Sequence, residues 1–482
     1  MSKARILALV AAFLAAASLW AASPHLTLDN GLEVFVVENH AVPLATVCVA
    51  FRGGASAQEP ETAGLFHLYE HMLFAGNEKY PSQAAFMAAI NRMGVANWNG
   101  GTGTQYINYY ITVPSDKLEQ GVEFWSWAVK KPVFTADKLE REKQVVISEI
   151  RGYHTDPDHI AEEGLESRVF SLYPWRKNID GPEETIQKAT IAQLEAIRAM
   201  YYIPRNTALL VGGDVDPGQV FAIAKKYFGD WSGGPAPVIG EPPQGPVPEG
   251  IALVYPDDNY YKGIAQVQLR WRGPDVLRSP RDSFASDVLS HLLSSSVGRF
   301  KTALMASGLG LYDPEYIGFD YPTARDGGDY QFSAYFKTGQ AGEGQVLDRC
   351  EALRRLLVDE FARIASDPEA YFGASALGKA KAKLIDQNLL AQEVASRFVT
   401  GSLSYWWSVA TTDYFFGYQD NCGKVAWADI TDVIERYLAH STSAVELRMR
   451  SDAYFLDPAA AQREKALGYS RLGADNAFWW QK

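Results

Sequence analysis

The order of apolar runs in this 482-residue chain predicts an α+β fold built from two related halves. Three observations carry the prediction. Strand-length β-branched runs alternate with amphipathic helical runs through residues 31–228. A stretch at 232–250 then holds Pro235, Pro237, Pro242, Pro243, Pro246 and Pro248, too many prolines for a helix or a central strand, and reads as an extended linker. Beyond it the same order of elements begins again, at an offset of 220 residues. The expected units are 23–231, the linker 232–250, and 251–482.

Taken in order, residues 31–38 and 44–51 are apolar and β-branched and predict two strands joined by a turn over 39–43. A polar loop over 55–63 leads into the helical run that starts at Leu65. Residues 82–93 have helical spacing with Ser82 as cap. Residues 96–104 are rich in Gly, Asn and Thr, and a strand with dense aromatics resumes at 106–113. Helices follow at 116–130 and 135–153. His154 and His159 flank Asp156-Pro157-Asp158, a turn sequence, and are read as loop residues. A buried strand at 206–215 precedes a helix at 217–228, with Asp216 as cap and Pro217 in the first turn. In the second half, strands are expected at 251–255 and 264–271 and a helix at 283–293.

The chemistry concentrates in 65–76, Leu-Phe-His-Leu-Tyr-Glu-His-Met-Leu-Phe-Ala-Gly. On a helix, residues four apart differ by about 40° in azimuth, so His67 and His71 project from one face and are placed to grip one metal ion. Glu70 lies beside them, and Leu68, Met72 and Phe74 predict burial in a partly dry pocket. This His-x-x-Glu-His order is the inverted zincin signature. Two imidazoles and one carboxylate make a three-ligand zinc site with one position left for water, and a neighbouring free carboxylate is suited to general base. The plain alternative is two core histidines and a surface glutamate. Carboxylates for the third position come from the helix at 135–153. Glu142 and Glu149 lie about 10 Å apart along its axis, so they cannot both ligate one ion, and spacing alone leaves either one eligible. A purely structural zinc is disfavoured, because such sites take four ligands rich in Cys.

At the matching place in the second half stands Asp287-Val-Leu-Ser290-His291. With Asp and Ser at two of the three polar positions, it is not expected to form the same site, and this half reads as structural or substrate-binding.

Hydrophobic content of 47% and charged content of 21% are those of a globular chain, and a net charge of −12 without a basic stripe argues against a nucleic-acid partner. Residues 1–22 read as a secretory signal: Lys3 and Arg5, an apolar run over 6–20, then small residues at Ala21, Ala22 and Ser23. Its removal takes away those two cations and leaves −14. The expected location is periplasmic or secreted, with no membrane association after cleavage. Cys48, Cys350 and Cys422 include no C-x-x-C pair. Cys48 reads as a small core residue, and a disulfide between Cys350 and Cys422 is open to an oxidising compartment. The ending Phe478-Trp479-Trp480 reads either as a docking patch or as packed aromatics.

The chain resembles the insulinase-like metallopeptidases, the group that includes pitrilysin and the mitochondrial processing peptidases. The resemblance rests on 64–76, on Glu142-Arg-Glu-Lys-Gln-Val-Val-Ile-Ser-Glu149-Ile, on 206–231 and on the duplicated halves, and it covers nearly the whole mature chain. It implies two homologous α/β-roll domains, each a mixed, mostly antiparallel sheet flanked by helices. It implies one Zn2+ per chain on His67, His71 and Glu149, with Glu70 as base and Glu142 supporting the site. It implies a peptide substrate held extended on a strand edge at Asn97, Trp98 and Asn99, although Trp98 and the Gly-Gly after it depart from the family's usual small residue and aromatic. Family members also place an Arg, and seven residues later a Tyr, where they reach the bound peptide and the developing oxyanion. Here Tyr312 is present as the second catalytic residue, but Met305 occupies the Arg position, and a thioether cannot donate those hydrogen bonds. The family's clam-shell pairing implies a dimer, and this departure points to a heterodimer in which a homologous chain supplies the Arg and Tyr.

Overall fold

The computed structural model describes residues 24–243, 245–338, 346–455 and 459–481. The signal read at 1–22 lies outside the described residues. Among those described, no helix is long and apolar enough to cross a membrane.

Two six-stranded sheets carry the fold. The first comprises β1 (His25–Thr27), β2 (Glu33–Glu38), β3 (Leu44–Arg52), β4 (Asn97–Thr102), β5 (Tyr106–Pro114) and β6 (Thr207–Gly213). The second comprises β7 (Ala252–Asp257), β8 (Ile264–Arg272), β9 (Gly318–Asp320), β10 (Asp329–Lys337), β11 (Ala444–Arg450) and β12 (Ser470–Arg471). Their orders are β1-β2-β6-β3-β5-β4 and β12-β7-β11-β8-β10-β9. Apart from the outer strands β1 and β12, the two orders are the same path traced twice. In each, one central pair is parallel (β2 with β6, β7 with β11) and the strands from there to the β4 or β9 edge pair antiparallel; the outer strands differ, β1 being antiparallel to β2 and β12 parallel to β7. This is the mixed, mostly antiparallel α+β architecture expected.

β6 is buried from end to end and β3 at all but its two terminal residues, as their near-continuous Val, Leu, Ala and Phe content requires of central strands covered on both faces. One face of the first sheet packs on helices of its own half. The other, through Phe35, Cys48, Ala50, Ala208 and Leu210, packs on Phe398, Val399, Leu403, Trp407 and Phe415 from the second half. The loan is returned: helix Pro157–Val169 of the first half lays Leu165, Val169 and Ile160 on Leu253, Ala444 and Tyr255 of the second. Each half therefore completes the core of the other.

Ser82 and Asp216 cap the helices they precede, as expected, and Thr135 does the same for its own: each accepts from a backbone N–H in the first turn. The Gly- and Asn-rich 97–102, to which composition assigns no element, is an edge strand, as the resemblance implies for 97–99, held by a continuous ladder to β5. Two expectations need correction. His159 lies on a helix, because Asp156 caps it and Pro157 takes its first position, so the Asp-Pro pair starts a helix here where a turn was read. Cys350 and Cys422 are free thiols buried in apolar surroundings, as is Cys48, and burial raises the pKa of all three. The terminal aromatics are packed: Phe478 is fully buried, its ring centroid 4.2 Å from that of His154.

Candidate metal centre

Helix Leu65–Phe74 begins where Gly64 adopts φ 87°, a left-handed conformation that favours glycine. A Cβ there would lie 2.2 Å from the Asp180 carbonyl oxygen. Its amide donates to Gln58 Oε1 at 2.8 Å, which satisfies one of the helix's free N–H groups. Leu65, Phe66, Leu68, Tyr69, Met72 and Leu73 are buried, so the opposite face is left to His67, Glu70 and His71. Against that face runs helix Ala136–Tyr153 with Val146, Ile147 and Ile150 buried, which turns Glu142 and Glu149 toward the histidines.

Three donor atoms converge. His67 Nε2 and His71 Nε2 are 3.3 Å apart, and Glu149 Oε2 lies 3.6 Å from the first and 3.4 Å from the second. A tetrahedral zinc with bonds of about 2.0–2.1 Å holds its donors about 3.3–3.4 Å apart, so the triangle has the size of such a site. Among the described residues this is the only group of three or more His, Cys, Asp or Glu side chains so arranged. Burial, then the neighbouring His71, hold the His67 pKa down to about 4, which keeps its lone pair free at neutral pH. Burial also opposes charge on His71, but Glu142, Glu149 and Glu70 outweigh it and raise that pKa. The donor set, its spacing and its charge all fit a divalent zinc ion. Glu149 is 38% exposed against 13% for His67, so the triangle opens to solvent on the Glu149 side.

Glu142 stands behind the triangle, with Oε2 3.6 Å from His71 Nδ1. Glu70 accepts a 2.7 Å hydrogen bond from Thr102 Oγ1 at the end of β4, and burial raises its pKa above the ordinary carboxylate range. β4 is placed by contacts of the same kind. Trp98 stacks edge-on against Phe74 at 5.6 Å, and a Cβ on Gly100 would come within 2.6 Å of Phe74, so glycine lets the strand approach the helix. Asn97 and Asn99 are exposed, alternating with Trp98 along the edge strand.

Tyr312 lies in the second half and is 43% exposed, with its ring against Tyr316 and its amide donating to the Tyr335 carbonyl. Met305 ends helix Arg299–Met305 and packs on the second core. Sequence reading missed two residues near the metal centre. Thr102 sits in a segment whose composition hid a strand. Asp180 has Oδ1 3.9 Å from His67 Nδ1, but only an Asn-Ile-Asp-Gly turn far from the histidines marked it in the sequence.

A helix-borne His-x-x-Glu-His pair facing a carboxylate, on a duplicated α+β scaffold, defines a chain of the inverted zincin class. Residues 33–183 match the family described as insulinase (peptidase family M16), and residues 188–384 match the peptidase M16 inactive domain. The chain belongs to this insulinase-like peptidase family. It is similar to the zinc protease PqqE of Helicobacter pylori, 27% identical over 279 residues that make up 55% of this chain and 60% of that protein. It is also similar to cytochrome b-c1 complex subunit 1 of Bos taurus, 26% identical over 206 residues, 43% of this chain and 42% of that one. The chain spans between 21% and 60% of the length of the curated relatives it matches. The solved first half of the periplasmic protease PqqL from Escherichia coli superposes with a TM-score of 0.72 at 18% identity, covering 92% of this chain and 96% of that one. Likeness at that identity establishes the fold.

Proposed function

We propose that this chain is an exported zinc-dependent endopeptidase that hydrolyses small or unfolded peptides in a chamber formed by two chains. The observation that carries the reading is the triangle of His67, His71 and Glu149 with the buried Glu70 carboxylate beside it. Zinc bound by those three donors would acidify a water molecule and polarise a peptide carbonyl. Because Thr102 ties up Glu70 Oε2, Oε1 is the oxygen left to take the proton from the attacking water. The raised affinity of Glu70 for that proton lets it hold it until the amine departs, and then return it. An extended peptide adds to the free edge of β4 at Asn97, Trp98 and Asn99 through main-chain hydrogen bonds, which leave sequence preference to the side-chain pockets. Glu142 orients His71.

The second half supplies substrate contacts, with Tyr312 as its candidate catalytic group. Since Met305 provides no donor, the full site takes its Arg and Tyr pair from a homologous chain, and the working unit is a heterodimer. A purified single chain cleaving unfolded peptides at full rate, indifferent to such a partner, would contradict the pairing. The periplasmic or secreted location rests on residues 1–22, with release from the membrane after cleavage.

Met305 also favours a second reading, a peptide-binding or assembly subunit that retains the scaffold. Metal content and peptide cleavage, with and without Glu70→Gln, separate the two. Zinc retained with cleavage lost supports the peptidase. Absence of cleavage by the wild type under every pairing favours the binding subunit. The mass of the native assembly, and the identity of what copurifies, test the partner.

A further inference from the structure

The two imidazoles of the triangle each have a carboxylate behind the ring nitrogen that faces away from the metal position. For His71 it is Glu142, with Oε2 3.6 Å from Nδ1. For His67 it is Asp180, with Oδ1 3.9 Å from Nδ1. The other oxygen of Asp180, Oδ2, lies 3.5 Å from Nε2 of His159. Both ring nitrogens, His67 Nδ1 and His159 Nε2, are buried and have no hydrogen-bond partner. One carboxylate thus offers one oxygen to each of two unsatisfied imidazole nitrogens, and its ion-pair partners among the described residues are those two rings.

The turn that carries Asp180 is built to stay in place. Gly181 N–H donates to Asn178 Oδ1 at 2.7 Å, and Gln58 Nε2 donates to the Asn178 carbonyl at 3.1 Å. Gln58 in turn accepts from Gly64, the residue that opens the His67 helix. Gly181 adopts φ +67°, and a Cβ there would meet the Ala63 carbonyl oxygen at 2.2 Å, so turn and helix start are pressed together backbone to backbone. His159 is fixed from behind by Phe478, 5.8 Å away, and by Tyr153, 5.3 Å away. A carboxylate held this rigidly against the base of the metal helix is poorly explained as a solvated surface charge.

We propose that Asp180 is a positioning residue for the metal centre: it accepts the Nδ1 proton of His67, fixes the tautomer that presents Nε2 to zinc, and is itself oriented by His159. This rests on the zinc reading of the triangle. When Nε2 binds a cation, the Nδ1 proton becomes more acidic and seeks an acceptor, and a carboxylate there raises the donor strength of the ring. The same argument assigns Glu142 to His71, so the two ligands are supported by different elements.

The test is zinc affinity, measured on the full chain by competition with a chromophoric chelator. Asp180→Asn keeps the volume and removes the charge, and should weaken zinc binding by about 10- to 100-fold while the metal-free chain keeps its melting temperature. Cobalt(II) substitution adds a readout that a merely structural role would not give. The exchangeable Nδ1 proton signals of the two ligand rings are separate, so Asp180→Asn should move the His67 signal alone and Glu142→Gln the His71 signal alone. Zinc affinity within about threefold of wild type, with an unmoved His67 signal, overturns the proposal. Should Asp180→Asn fail to fold, His159→Gln carries the test, with zinc binding weakened by about three- to tenfold, and an unchanged affinity overturns it. A wild-type chain that binds no zinc overturns instead the reading beneath it.

Discussion

Helix Leu65–Phe74 in the first half and helix Pro280–Leu293 in the second occupy the same station after paired strands, with His67 and Asp287 220 residues apart in the chain. They face different neighbours. In the first half the opposing helix brings Glu142 and Glu149, so negative charge gathers where two imidazoles point outward. In the second the opposing helix is Ala376–Leu390, and it sets Lys383 and Gln387 beside His291. Burial and then the Lys383 charge lower the His291 pKa, and a cation would meet the same repulsion. Asp287 is turned inward, accepting from Tyr418 Oη at 2.8 Å and from Thr323 Oγ1 at 3.5 Å. Burial pushes its pKa up to about 7, with those two hydrogen bonds opposing. The lesson is that the scaffold alone does not make a metal centre. The charge on the helix opposite separates the two halves: carboxylates face His67 and His71, whereas Lys383 faces His291.

The sharpest break in the comparison comes from Glu70→Gln. Peptide cleavage should fall by about 10²- to 10⁴-fold while zinc content stays at the wild-type level, measured by turnover and by elemental analysis on one preparation. Next comes the metal itself. His71→Ala should empty the centre, whereas His291→Ala in the second half should leave bound zinc unchanged, and loss of metal in the latter would erase the distinction between the halves.

The exchanged helices predict a stability effect. Trp407 belongs to the second half, yet it covers the first sheet, is fully buried, and donates its indole N–H to Glu33 at 3.0 Å. Trp407→Ala should cost about 3–5 kcal/mol in urea unfolding and should destabilise the first half with the second. An unfolding transition confined to the second half would refute the mutual core.

The smallest effect concerns pH. Asp287 holds its proton more tightly in the folded chain than when unfolded, so its contribution favours folding at low pH and is lost as pH rises from about 4 through about 7. Asp287→Asn lacks that loss, so its melting temperature relative to wild type should climb across the same window, and a constant difference would count against the buried charge.

Much of this was legible beforehand because helix caps, strand runs and the His-x-x-Glu-His spacing are local signals. Ser82 and Asp216 announced their helices through side chains that bond backbone within one turn. β4 was legible only through the resemblance, which put a strand edge at 97–99; composition does not show it, because Asn and Gly have little strand preference of their own and the ladder to β5 imposes the conformation. His159 was misread because Asp-Pro serves turns and helix starts equally well. The cysteines were ambiguous because pairing is a matter of distance, and spacing along the chain carries none.

By itself the sequence determined the duplicated α+β scaffold and the face on which His67, Glu70 and His71 stand, since both follow from periodicities of a few residues. Spacing left Glu142 and Glu149 both eligible and the resemblance pointed to Glu149; tertiary structure brings the Glu149 carboxylate to the two imidazoles, and it alone decided that Thr102 and Asp180 attend the site and that each half lends helices to the other. Those are contacts between residues distant in the chain, fixed by how buried faces pack together, and no local pattern encodes which distant partner a face will meet.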